Sequence, residues 1–201
     1  MRATRSLLTL SASLMLLAGL GLAPLAVPAA AQQAPGFGFT QGEPIVLDVA
    51  EIEVSNDYAP PMKEPNVEHM VPVTPAESVR LWVQDRLKAG GSSGRARVVI
   101  RRASVVEVPL ERTGGIKGWF TKDQSERYEG RLEVEVHVDQ PGRRFNGYTT
   151  ASVVRTTSVA EDVSVAERER TWLTLVREMA QDLDQQLTAG IKANLSPVMI
   201  L

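Results

Sequence analysis

Between Arg131 and Val138 the residues alternate between charged and apolar without a break. Leu132, Val134, Val136 and Val138 fall on one side, and Arg131, Glu133, Glu135 and His137 on the other. A period of two is the signature of a half-buried strand. Its regular charges demand a sheet with one covered face and one wet face, as antiparallel sheets commonly have. Asp139-Gln140-Pro141-Gly142 is a strong turn signal. The strand predicted over about 126–138 therefore folds back as an antiparallel hairpin onto a strand over about 144–156. A further strand is predicted over about 96–108.

Two helices can cover that sheet. Thr74-Pro75-Ala76-Glu77 predicts a helix start, with Thr74 as cap, Pro75 at the first helical position and Glu77 closing a capping box. Val79, Trp82, Val83 and Leu87 supply its apolar stripe, and Gly90-Gly91 is expected to end it. Ser164-Val165-Ala166-Glu167 is a second capping box. Behind it Trp172, Val176, Met179, Leu183, Leu187, Ile191 and Leu195 recur every three or four residues, a seam that faces either the core or a partner. Ahead of both helices, Ile45 to Val54 reads as one strand whose apolar phase slips by a residue, as at a β-bulge. The predicted fold class is thus α+β: a four-stranded sheet in the order β-α-β-β-β-α, with two amphipathic helices on one face.

The remaining segments set the domain plan. Arg2 and Arg5 precede an apolar run from Leu7 to Leu25, and Ala29-Ala30-Ala31 offers small residues before Gln32. That pattern predicts a secretory signal peptide over 1–31 and a periplasmic location. Residues 32–43, rich in Gln, Gly and Pro, read as a flexible leader; 44–195 as a single domain; 196–201 as a C-terminal tail. The chain has no Cys, so its stability rests on an ordinary core without disulfides. Loss of Arg2 and Arg5 with the leader takes 22 basic residues to 20 against 24 acidic ones, a net charge of about −4. Nothing in that balance attracts nucleic acid.

Catalytic patterns are sparse. Gly90-Gly91-Ser92-Ser93-Gly94 matches a nucleophile elbow letter by letter, but it follows a helix and leads into a strand, the reverse of the required context. Gly114-Gly115-Ile116-Lys117-Gly118 lacks the spacing of a phosphate-binding loop. The only histidines are His69 and His137, and with Glu68 they are too few and too irregularly spaced for a metal site. Glu133 and Glu135 read as a solvated strand face. No catalytic residue, cofactor or metal is expected.

Two binding segments stand out. Trp119 and Phe120 follow the glycine-rich run and precede a polar stretch. They either fold back under the sheet edge, anchor a partner, or insert peripherally at a membrane interface. The long connection from Ser55 to Val73, interrupted by Pro60-Pro61, Pro65 and Pro72, offers Asn56, Tyr58 and Met62 as residues that line a groove or cross the sheet end.

Residues 126–134 (ERYEGRLEV) and 160–170 (AEDVSVAERER) leading into Trp172 are similar to segments of uncharacterised proteobacterial envelope proteins. The element order resembles the auxiliary lipoproteins of envelope lipid-transport ABC systems and the lipopolysaccharide-assembly lipoproteins. Those proteins are anchored through a Cys that this sequence lacks. The resemblance implies a non-enzymatic accessory protein of the envelope, which binds a protein partner or a lipid-like ligand. Two alternatives stand beside it: a hydrolase using His69 and nearby carboxylates, and a self-assembling protein whose C-terminal helices pair between copies.

Overall fold

The computed structural model describes residues 37–39, 41–109, 124–160 and 162–200. Among these residues, two α-helices and two sheets form the α+β fold. The main sheet holds β2 (Glu51–Asn56), β4 (Arg95–Pro109), β5 (Gln124–Gln140) and β6 (Phe145–Ala160), in the order β2-β4-β5-β6. A small sheet joins β3 (Leu87–Ala89), β1 (Ile45–Leu47) and β7 (Met199–Ile200), in the order β3-β1-β7. The helices are α1 (Pro75–Arg86) and α2 (Val165–Asn194).

The expected hairpin is present. β5 and β6 pair antiparallel from Gln140 opposite Phe145 back to Gln124 opposite Ala160. A 3-10 turn over Pro141–Arg143 links them, closed by Arg144 at φ 51°. On β5 the apolar side is fully enclosed: Tyr128, Leu132, Val134, Val136 and Val138 are all buried. α2 lies close against this side. A Cβ on Gly130 would meet the Met179 sulfur at 2.2 Å, so only glycine lets helix and strand approach this far. Trp172 meets the Tyr128 ring edge-on at 5.5 Å. The apolar seam of α2, from Trp172 to Leu195, is turned into the protein's own core.

Both helix starts behave as their caps dictate, with one difference. At Ser164 the capping box is reciprocal, the Glu167 carboxylate accepting from Ser164 N–H at 3.1 Å. At Thr74 the hydroxyl accepts from Glu77 N–H at 3.1 Å, but the Glu77 carboxylate turns away to Arg80 at 3.2 Å. A polar node ties the two helices together. Asp184 accepts from Trp82 Nε1 at 2.7 Å and from Arg86 Nε at 2.8 Å, while the buried Arg86 also donates to the Glu43 carbonyl.

Several expectations change. The strand read over Ile45 to Val54 is two strands in two sheets, and its phase slip is a crossing rather than a bulge. β1 pairs with β3 and β7, the chain turns at Asp48–Ala50, and β2 then pairs parallel with β4. Val49 stays buried at the crossing, and Ala50 N–H donates to the Ser93 and Gly94 carbonyls. A bulge does lie in β4, between Ile100 and Arg102. The first helix ends at Arg86 rather than at Gly90-Gly91, because Leu87–Ala89 straighten to pair with β1. The resulting chain order is β-β-α-β-β-β-β-α-β. Phe37, in the segment read as a flexible leader, is buried in the core with Phe39 packed beside it, and Asp85 accepts from Phe39 N–H at 2.9 Å. Within 196–201, Val198 is fully buried and Met199–Ile200 form β7.

Candidate functional site

The outer face of the main sheet is open to solvent and organised in cross-strand rows. Register places Glu53 beside Arg97, and Arg97 beside His137, which in turn is opposite Tyr148. The neighbouring row runs Glu51, Arg95, Asp139, Asn146. Opposite charges that face each other across strands attract, and here they do so repeatedly. Arg95 donates to Glu51 at 2.7 Å and Arg102 lies 3.4 Å from Glu133, while along β5 itself Arg131 lies 2.6 Å from Glu129. Arg101 bridges Asp57 and Glu135, reaching the latter at 2.9 Å.

At one end these rows border an open depression of about 720 Å³. Arg95, Arg97, Arg101 and His137 surround Val99 there, with Glu51 and Asp139 at its margin. His137 Nε2 lies 2.8 Å from Glu135, and its ring stacks on Tyr148 at 5.6 Å. Hydrogen bonds from Arg101, and then from His137, hold the Glu135 carboxyl below the usual carboxylate range. Arg97 is the least engaged guanidinium of the group; its ion pair with Glu53 is 3.6 Å long. Chemically, the depression presents guanidinium and imidazole donors to whatever covers it.

β6 differs from its neighbours. Its outward row is Asn146, Tyr148, Thr150, Ser152, Val154 and Thr156, six exposed residues without a charge. Tyr148 is 62% exposed and Val154 54%.

The connection from β2 to α1 is fastened from within. Glu68 is buried, and its carboxylate accepts from the Tyr58 hydroxyl at 2.9 Å, Val105 N–H at 3.2 Å and Asn66 Nδ2 at 3.4 Å. Burial, followed by the bond to Glu68, pushes the Tyr58 hydroxyl up to about 12. Backbone bonds from Val67 N–H to the Val105 carbonyl and from Glu107 N–H to the Pro65 carbonyl lay this segment along the edge of β4, beyond the end of β2.

Among the residues singled out from sequence, Asn56 and Tyr58 come together, Tyr58 N–H donating to Asn56 Oδ1 at 3.2 Å. Asn56 is exposed at the end of β2, while Tyr58 packs inward against the core. Met62 stands apart, 62% exposed at φ 57°. Trp119 and Phe120 lie outside the described residues. His69 is exposed, and it is Glu68 beside it that is buried. His137 takes its expected place on the wet face. The spacing Arg95-x-Arg97-x-Val99-x-Arg101 is visible in sequence, but only the register of β2 and β5 shows what surrounds those side chains.

No protein-family model matches the sequence, and no curated protein matches it either. Similar solved structures include rare lipoprotein B from Shewanella oneidensis, 16% identical with a TM-score of 0.38, covering 71% of this chain and 95% of that one. A minor lipoprotein from Acinetobacter baumannii is 12% identical with a TM-score of 0.37, covering 77% of this chain and 98% of that one. A DUF330 protein from Xanthomonas campestris is 10% identical with a TM-score of 0.34, covering 79% of this chain and 88% of that one. The first two are lipoproteins by name. At these identities and TM-scores nothing follows about activity.

Proposed function

We propose that this chain is a non-enzymatic accessory protein of the cell envelope, exported by its N-terminal signal, and that it binds a protein partner through the open face of the main sheet. The observation that carries this reading is the guanidinium and imidazole cluster of Arg95, Arg97, Arg101 and His137 around an open depression. Exposed ion pairs such as Arg95–Glu51 and Arg102–Glu133 have both side chains about half exposed, so solvent screens them and they contribute little to stability. Such pairs can exchange their internal partner for an external one at low cost. The depression is open and rimmed by charge, which suits acidic side chains of a protein better than the enclosed apolar volume a lipid-like ligand needs. Trp119 and Phe120, which fall between β4 and β5 in the sequence, are proposed as a second, aromatic contact with the same partner.

The test is co-purification of the exported protein from its native envelope. Replacing Arg97 and Arg101 by Gln should abolish recovery of the partner, while the melting temperature changes by no more than about 3 °C, as for exposed positions. Changing Trp119 and Phe120 to Ser should weaken recovery without unfolding the protein. Undiminished recovery of the same partner from the Arg variant would sink the proposal.

A further inference from the structure

Among the described residues β6, sixteen residues long, is an edge strand, and its outward row carries no charge. Edges are normally blunted by charged side chains, proline or a bulge, since their unpaired backbone groups are a template for another strand. The other strands of this sheet carry charge at their outward positions. β6 carries none in that row from Asn146 to Thr156; Arg155, on the other side of the strand, is bound to Asp182 and Glu178 of α2.

The orientation of its backbone follows from bonds made two strands away. Val105 and Glu107 bond to the segment around Pro65–Val67, so their polar groups point away from β5. Alternation along antiparallel ladders then directs Val106 to Glu129 and Ser104 to Arg131, Gly130 to Arg155, and Leu132 to Val153. The odd residues of β6 therefore bond to β5, and Asn146, Tyr148, Thr150, Ser152, Val154 and Thr156 direct N–H and C=O to the free edge. Ser152 bears this out independently: its N–H leaves the sheet and donates to the Gln186 side chain at 3.0 Å. No backbone group among the described residues meets the others on that side.

We infer that β6 pairs antiparallel with β6 of a second copy of this chain, joining two four-stranded sheets into one of eight strands about a two-fold axis. The occupant is set by self-complementarity. Read against itself about the level of Ala151, the row places Tyr148 opposite Val154 of the second copy, Thr150 opposite Ser152 and Asn146 opposite Thr156. Both exposed apolar side chains of the row thus gain an aromatic–β-branched neighbour, a favourable cross-strand pair. No like charges meet, because the row has none. Along the flank of α2, Glu178 and Asp182 are held by Arg155, which reaches Asp182 through two bonds of 2.6 and 2.9 Å. Gln186 is exposed and swings aside, its place on Ser152 N–H taken by a carbonyl of the second strand. This contact uses the edge, so it leaves the Arg97 depression free and stands or falls separately from the partner proposed above.

Sedimentation velocity of the exported chain over a range of concentrations tests the pairing. A dimer is expected, and Tyr148→Lys with Val154→Lys should convert it to a folded monomer. Because the chain has no Cys, register is read directly. Opposed residues of a hydrogen-bonded antiparallel pair have Cα atoms about 5.5 Å apart, within disulfide reach. A mixture of Thr150→Cys and Ser152→Cys chains should form the mixed cross-linked dimer under mild oxidation, in preference to either homodimer. A monomer at every concentration, a dimer unaffected by the two lysines, or no preference for the mixed cross-link would each overturn the inference.

Discussion

Replacing Glu68 by Ala isolates what fastens the long connection to the sheet. Glu68 is 3% exposed and accepts three hydrogen bonds. The loss at Val105 dominates, because that N–H sits in a buried stretch of β4 with no water to replace the carboxylate; a buried unsatisfied donor costs about 1–3 kcal/mol. The half-buried Tyr58 hydroxyl loses a charge-assisted bond but can partly rehydrate, adding about 1 kcal/mol. Removing a carboxylate from the interior offsets part of this. A net loss of about 2–3 kcal/mol lowers Tm by about 6–9 °C in a domain of this size. Glu68→Gln, which keeps an acceptor for Val105, should lose about 1 kcal/mol. Circular dichroism melts give both values, and a cycle with Tyr58→Phe should show the two residues coupled, the Tyr58 change costing less once Glu68 is gone. The same pair shapes the alkaline limb. Tyr58 is raised from 10.0 to about 12, so the unfolded chain ionises first and stability falls as pH rises from about 10 to 12. Tyr128 is raised as well, so the readout is the difference between native and Tyr58→Phe proteins. A Glu68→Ala protein that melts within about 2 °C of the native one, or Tyr58 effects that are equal in both backgrounds, would refute this account.

Two further outcomes follow from the packing and the open face. Gly130→Ala drives a Cβ to 2.2 Å from the Met179 sulfur and should destabilise by about 1–3 kcal/mol in urea unfolding, with Met179→Ala in the same chain reducing the penalty of the Gly130 change. Glu135 has its folded pKa lowered, so its contribution is complete above the ordinary carboxylate range and is lost as pH falls through the lowered value. Glu135→Gln should therefore flatten the dependence of Tm on pH below about 4.5, the ordinary glutamate value, and an unchanged acid limb would show that Arg101 and His137 do not act through it.

Periodicity revealed what local physics controls. The alternation on β5, the Ser164 capping box and the seam from Trp172 to Leu195 are all set by neighbours within a few residues, and each forms where the pattern places it. The crossing between β1 and β2 was hidden because Leu47 and Val49 are both buried, so alternation continues through the point where the chain leaves one sheet for the other. The end of α1 was hidden because Leu87 is buried whether helical or extended, and its partner Ile45 lies far away in sequence. At the open face, His137 and the paired glutamates could be seen as wet residues. Their arrangement around Arg97 and Arg101 could not, since it depends on a parallel pairing of β2 with β4 and on the bulge after Ile100. The uncharged row of β6 was visible throughout, but it gains meaning only once β6 is known to be an edge.

The small sheet also constrains the order in which the molecule can fold. Val46 in β1 is paired on one side with Lys88 and on the other with Ile200. A chain that emerges N-terminus first can zip the β5–β6 hairpin from contacts close in sequence, whereas β1 must wait for β7 before both of its edges are satisfied. The earliest strand is therefore among the last to be secured. A deletion ending before Met199, or a bulky fusion that draws β7 away, would act at the opposite end of the sequence: it would uncover the edge of β1 and loosen the ground on which Leu47 and Val49 are packed.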